Sequence, residues 1–89
     1  MTNRNTSTAG DSAIAPSQNC FEVMPHDTAE LETMTKALFV GTGGDVTVRP
    51  ARSQQDVTFR NLPDAYVLDV RVIAVRATGT TATDIVGLA

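Results

Sequence analysis

The chain has 89 residues, 42% of them hydrophobic and 4% aromatic, with a formal net charge of −3 and a pI near 4.8. This length bounds it to one small domain, and the acidic pI excludes the usual nucleic-acid binder, which carries a basic patch. Cys20 is the only cysteine and His26 the only histidine, so an internal disulfide is excluded and neither a metal nor another cofactor is expected. Small domains without a disulfide or a bound metal often need a partner subunit for stability, so we expect oligomerisation.

The N-terminal residues are polar and small. Residues 1–19 are rich in Thr, Ser, Asn, Ala and Gly, and Ile14 is their only large aliphatic side chain after Met1. Because such a segment buries little apolar surface, we expect a flexible N-terminal arm over residues 1–19 and a β domain over residues 20–89. The arm is either a solvated tail or a segment that orders on a partner. It lacks the hydrophobic stretch of a signal peptide, and no run in the chain approaches the ~20 apolar residues of a membrane span.

Residues 19–25 predict a short strand with alternating faces. One face carries Cys20, Glu22 and Met24, and the other carries Phe21 and Val23. Pro25 has no N–H to donate, so it ends the strand or places it at a sheet edge.

A threonine-rich connection follows, with the sequence HDTAELETMTKAL. Asp27 or Thr28 is suited to cap one helical turn that contains Glu30 and Leu31. The segment is too short and too rich in threonine for a stable helix, so we expect an irregular connection or a 3₁₀ turn.

From Lys36 onward the pattern is typical of β-strands. Apolar or alternating runs predict strands in KALFV, DVTVR, QDVTFRN, VLDVRVIAVRA and DIVGL. In the third of these, Val57 and Phe59 are expected to face inward. In the longest, residues 72–75 are consecutive apolar side chains that need cover on both faces, and a neighbouring subunit is one source of the second cover.

Turn signals separate these strands at short intervals, in GTGGD, RPARSQQ, NLPDAY and ATGTTATD. Together with the strand near residue 20, this makes about six short strands. The pattern predicts an all-β fold, a small β-sandwich or partly closed barrel, preceded by the extended arm.

The stretch GTGGD, residues 41–45, raises the question of a phosphate-binding loop. A dinucleotide fingerprint needs G-x-G-x-x-G at the start of a helix, whose N–H groups hold the phosphate, and a Walker loop needs G-K-[ST]. Here the spacing is G-x-G-G and β-branched residues follow, which do not begin a helix. Glycines followed by Asp between two apolar strands predict a hairpin turn with positive φ.

No catalytic constellation is expected. Cys20 and His26 lie six residues apart in a segment where nothing buries or orients a nucleophile, so we interpret them as a strand residue and a turn residue. The threonine-rich stretch over residues 76–88 predicts a hairpin whose hydroxyls satisfy nearby backbone groups. The alternative is a loop that contacts a sugar or a partner.

Three stretches in order resemble a known family. FEVMPHDTAEL, KALFVGTGGDVTV and VTFRNLPDAYVLDVRVIAVRATGTTATDIVGL resemble the small spike base proteins of gene transfer agents and of related tailed phages and prophages. The family pattern Arg-Ala-Leu-Tyr-Val-Gly stands here as KALFVG, with Lys36 and Phe39 substituted, and ATGTTATDIV matches closely. The resemblance runs from about Ala15 to the C-terminus.

The resemblance implies a structural virion protein without enzymatic activity, made in the bacterial cytoplasm and located on the capsid surface. Such proteins form the base of a spike at five-fold vertices, and each base holds a separate fibre that contacts the host or recipient surface. The implied partners are further copies of the chain in a ring, expected to be a pentamer, the major capsid protein and the spike fibre protein. Neither nucleic acid nor a membrane is an implied partner.

The distribution of charge also favours assembly. Residues 1–35 carry one basic and five acidic residues (−4), whereas residues 36–89 carry six basic and five acidic residues (+1). Such asymmetry suits head-to-tail contact between subunits. The expected assembly contacts are Ile14, Glu22, Asp27, Glu30, Leu31, Val72, Ile73 and Val75. Two other functions stay open: a glycan-binding β-module that uses the threonine-rich loop and Tyr66, and a nucleotide-binding enzyme that rests on GTGGD alone.

Overall fold

The computed structural model describes residues 16–89, so Ile14 and most of the expected arm lie outside the described residues. The regular structure of this range consists of seven β-strands. They are β1 (Cys20–Glu22), β2 (Ala37–Thr42), β3 (Gly44–Pro50), β4 (Val57–Leu62), β5 (Tyr66–Leu68), β6 (Val72–Arg76) and β7 (Thr83–Leu88).

The strands form two antiparallel sheets, which confirms the predicted all-β fold. The first sheet has the order β1-β7-β2-β5, and the second has the order β4-β3-β6. Both sheets contribute aliphatic side chains to one buried cluster, so the fold is a sandwich. The cluster consists of Val23, Leu38, Val40, Val46, Val48, Leu68, Val72, Val75, Ala82 and Ile85.

The predicted longest strand is in fact two strands in different sheets. β5 pairs with β2 in the first sheet, whereas β6 pairs with β3 in the second. Between them the chain turns, and the Val70 N–H donates to the Leu68 carbonyl at 2.9 Å. Leu68 and Val72 are buried and Val70 packs against the same core. Because both sheets face that core, the apolar alternation continues across the crossover and hides it in the sequence.

The GTGGD stretch is a crossing between sheets, so the predicted hairpin was wrong. β2 pairs with β5 and β7, whereas β3 pairs with β4 and β6, and the two strands do not pair with each other. The expected positive φ is present at Gly44, where φ is 151°. A Cβ on Gly44 would lie 2.7 Å from the Thr81 hydroxyl oxygen, so a side chain has no room there. The Gly43 N–H is donated to the Asp64 carboxylate at 2.6 Å.

Val57 lies on the inward face of β4, as expected, because it pairs with the buried Val48, but it is not covered there. Val57 is 40% exposed, while Phe59 is half-buried against the core as predicted. β4 is the outermost strand of its sheet, and Val57 begins it beside Val48 with no strand beyond. Alternation within a strand gives the face of a side chain but does not reveal that the strand is at an edge.

The start and the end of the described chain are hydrogen-bonded together. The Asn19 N–H donates to the Ala89 carbonyl at 3.1 Å, and the Ala89 N–H donates to the Asn19 carbonyl at 2.8 Å. These bonds extend the pairing of β1 with β7. Within β1, the predicted alternation is confirmed, since Phe21 is half-buried and its neighbours Cys20 and Glu22 are exposed.

Candidate assembly surface

The irregular connection predicted after β1 runs along the outer edge of β6. Three of its backbone N–H groups donate to β6 carbonyls: His26 to Val75 at 2.9 Å, Leu31 to Ile73 at 2.8 Å and Thr35 to Val72 at 3.1 Å. The connection therefore covers a sheet edge that would otherwise be open. It contains no helical turn, so neither Asp27 nor Thr28 acts as a helix cap.

This connection also changes the interpretation of the apolar run at residues 72–75. Val72 and Ala74 are fully buried and Val75 is 1% exposed within the single chain, while Ile73 is half-buried. The chain itself supplies the cover that the sequence left to a neighbouring subunit. Val72 and Val75 belong to the core and present no side-chain surface to a partner.

Asp27 is occupied by a contact within the chain. Its carboxylate accepts hydrogen bonds from the Thr78 N–H at 2.7 Å and from the Thr78 hydroxyl at 2.8 Å, and its carbonyl accepts one from Arg76 Nη1 at 3.1 Å. The hydrogen bonds from Thr78 hold the pKa of the Asp27 carboxyl below its usual range. Next to it, His26 Nδ1 accepts the N–H groups of Thr28 and Ala29, which fixes the turn.

A groove of about 540 Å³ lies between the edge of β1 and residues 30–33 of the connection. Its apolar lining includes Phe21, which is half-buried, and Leu31, whose N–H is anchored on β6 and whose side chain packs against the core. Three exposed carboxylates, those of Glu22, Glu30 and Glu32, line the same groove. Among residues 16–89 none of these three forms an ion pair. We call this groove, with its carboxylates, the acidic groove.

The acidic groove brings together three of the eight expected contact residues, namely Glu22, Glu30 and Leu31. Sequence reasoning placed Met24 on the face of Glu22 but did not single it out as a contact. Its side chain is 77% exposed and lines the groove. An exposed methionine beside carboxylates is a flexible apolar contact that a partner can cover.

The opposite edges of the two sheets expose further apolar side chains. β5 ends the first sheet and β4 ends the second. Val57 on β4 is 40% exposed, and Tyr66 and Val67 on β5 are 39% and 48% exposed. The alternation pattern gave no signal for these residues, because edge position depends on which strands pair.

The threonine-rich loop is used for internal hydrogen bonds. The Thr80 hydroxyl accepts from the Thr47 N–H at 3.0 Å, and the Thr81 hydroxyl accepts from the Asp45 N–H at 2.9 Å. The predicted hairpin was wrong, because β6 and β7 lie in different sheets. The hydroxyls do satisfy backbone groups, but these belong to β3 and not to the loop itself. These two hydroxyls are therefore engaged, and a sugar would have to compete with the backbone for them.

In the part of the chain that the structure describes, no group of three His, Cys, Asp or Glu side chains is placed to hold a metal ion. Cys20 is exposed on β1. Over the same residues, no helix has the length and apolar character needed to cross a membrane.

Comparison with known proteins gives a match among solved structures. No protein-family model matches the chain, and no curated protein matches it. Among solved structures, the chain is similar to a chain of the "Capsid of native GTA particle computed with C5 symmetry". The two chains are 32% identical, the match covers 99% of this chain and 100% of the other, and the TM-score is 0.82.

Proposed function

Because the chain belongs to the same family as this capsid chain of a GTA particle, we propose that it is the spike base of a gene transfer agent or a related phage particle. Membership of this family means that the chain is a structural virion protein. In the proposal, five copies form a ring at each five-fold vertex of the capsid, and the ring anchors a fibre that contacts the host or recipient surface.

The observation that carries the proposal is the likeness, over 99% of this chain, to a chain of a GTA capsid that was computed with C5 symmetry. A five-fold axis needs the same protein surface to meet its neighbour five times, which suits a small rigid sandwich.

The proposal also assigns roles to the two parts of the chain. The arm, residues 1–19, would contact the shell, and the β domain, residues 20–89, would form the ring. In this arrangement the partners are further copies of the chain, the major capsid protein and the fibre protein.

Cryo-electron microscopy of particles that contain the full chain tests this proposal directly. We expect density for five copies of the sandwich around each occupied five-fold vertex, with fibre density above them. Native mass spectrometry of the purified chain should give a pentamer, alone or with capsid protein. A protein that stays monomeric and never joins particles would contradict the proposal.

A further inference from the structure

The sandwich has two opposite sides of different construction. β1 and β5 are the two edges of the first sheet, and β6 and β4 are the two edges of the second. The connection over residues 26–35 links β1 to β6, and residues 63–65 link β4 to β5. The acidic groove therefore lies on the side of β1 and β6. The side of β4 and β5, which we call the open side, faces the other way.

The two sides differ in charge. Residues 16–35, which form the acidic groove and its surroundings, contain four carboxylates and no lysine or arginine. On the open side Arg60 has a side chain that is 70% exposed and forms an ion pair with Asp45 at 3.3 Å. Residues 56–68 also contain two carboxylates: Asp56 is paired with Arg49 and Arg76, and Asp64 accepts a backbone N–H. The open side therefore carries less negative charge than the acidic groove and one exposed cation.

Both sides also expose apolar side chains that a partner could cover. The open side ends in two strands without outer partners and exposes Val57, Tyr66 and Val67. The acidic groove has an apolar lining that includes Phe21 and Leu31, and its rim carries the exposed Met24. An edge strand with exposed apolar side chains is a surface that proteins usually cover.

We propose that the open side of one copy docks against the acidic groove of the next copy. The occupant of the groove is thus a second copy of this chain, with Tyr66 and Val67 against its apolar lining and Arg60 against its carboxylates. The inference rests on the proposed ring function and names the surfaces that build it. Because the two surfaces are unlike and lie on different sides of one subunit, the contact is head-to-tail, and it forms a ring when the rotation from one copy to the next closes.

Cross-linking between the two sides tests this contact. The native Cys20 lies on β1 at the acidic groove side, and a Val67→Cys variant places a second thiol on the open side. The two positions in one chain are separated by three strand spacings of about 4.8 Å, or ~14 Å. A bismaleimide with a shorter span therefore joins them only between copies. In the full-length variant we expect a ladder of covalent species that ends at the ring size.

Three controls define the outcome. Wild-type protein, with Cys20 alone, and the Cys20→Ser, Val67→Cys double variant each have one thiol and can give dimers at most. Gln54→Cys carries a second thiol in the exposed segment between β3 and β4, outside the residues named at either surface, and should give no ladder beyond dimers. Rings that form but yield no ladder with Val67→Cys would overturn this inference and leave the proposed function standing. Failure of the unmodified chain to form rings, alone or in particles, would overturn both.

A charge reversal gives an independent readout. Arg60→Glu puts a carboxylate against the carboxylates of the next copy, and we expect the association constant between copies to fall by about tenfold or more. Arg52→Glu makes the same charge change at an exposed arginine outside the open side and should leave association close to wild type. Equal effects of the two variants would show that net charge alone, not this contact, governs assembly. Circular dichroism of each variant checks that the fold is intact.

Discussion

Asp27 and Thr78 lie 51 residues apart in the chain and are joined by two hydrogen bonds, because the carboxylate accepts both the N–H and the hydroxyl of Thr78. This pair fastens the connection after β1 to the loop between β6 and β7. It keeps the connection on the edge of β6 and so helps to hold the carboxylates of the acidic groove in place.

The first prediction follows from the lowered pKa of Asp27. A carboxyl whose pKa is lower in the folded state contributes stability above its unfolded value, about 3.9, and loses it as the pH falls through the folded value. We expect Asp27→Asn to melt at a lower temperature than wild type at pH 6, with the difference shrinking below about pH 4. Calorimetry across this range measures it. Asp69→Asn removes one exposed carboxylate between β5 and β6 and is the matched control for the loss of a single charge.

The second prediction concerns the core. Val72 is fully buried in the cluster between the sheets, so Val72→Asp places a charge where nothing compensates it. We expect a loss of about 3 kcal/mol or more in the free energy of unfolding, measured by urea denaturation. Met34→Asp introduces the same charge at a 45% exposed site outside the proposed contact and should lose less than about 1 kcal/mol. Similar losses for the two variants would mean that Val72 is not in the core.

The third prediction tests the crossing between the sheets. Gly44 has φ of 151° and no room for a Cβ beside Thr81 and Ala82. Gly44→Ala should therefore destabilise the fold by about 1 kcal/mol or more, despite the lower chain entropy of alanine. A melting temperature equal to wild type or above it would show that this position tolerates a side chain. Thermal denaturation at neutral pH is sufficient for the comparison.

The fourth prediction excludes a nucleotide site at GTGGD. No helix follows these glycines, and the Gly43 N–H is already donated to Asp64. ATP or NAD at millimolar concentration should leave the melting temperature unchanged. A ligand at 100 times its Kd would add ~2.7 kcal/mol of stability, which a thermal shift assay detects readily. A clear upward shift would return the nucleotide-binding hypothesis to consideration.

The fifth prediction separates assembly from sugar binding. Tyr66 is 39% exposed on the open side, where the proposed contact buries it against the next copy. We expect Tyr66→Ala to weaken ring formation in native mass spectrometry, and we expect the wild-type chain to show no saturable binding on a glycan array. Saturable glycan binding that Tyr66→Ala abolishes would instead favour the glycan-binding module.

The sequence predicts the local features of this fold well. Strand periodicity located β1, β2, β3, β4 and β7, and the threonines of the connection correctly indicated that it is not helical. Strand periodicity could not show that the chain changes sheets within residues 66–76. The alternation from Leu68 to Val72 would be the same in one long strand as in two strands that face the same core. The glycines of GTGGD specified a bend, but which strands pair across it depends on distant residues.

The candidate surface was only partly predictable for the same reason. Glu22, Glu30 and Leu31 were expected at an assembly contact, and the structure brings them into one groove. They meet because backbone N–H groups of the connection donate to β6, and backbone hydrogen bonds leave no residue-type signature. The open side was missed because its exposed valines are typical of buried strands.

The paired hydrogen bonds between Asn19 and Ala89 have a practical meaning for imaging. They fix the C-terminal residue beside the point where the preceding segment joins the domain. A small label fused after Ala89 therefore lies beside Asn19, at the start of β1. In a particle reconstruction, that single landmark would tell whether the subunit stands with this end toward the shell or toward the outside.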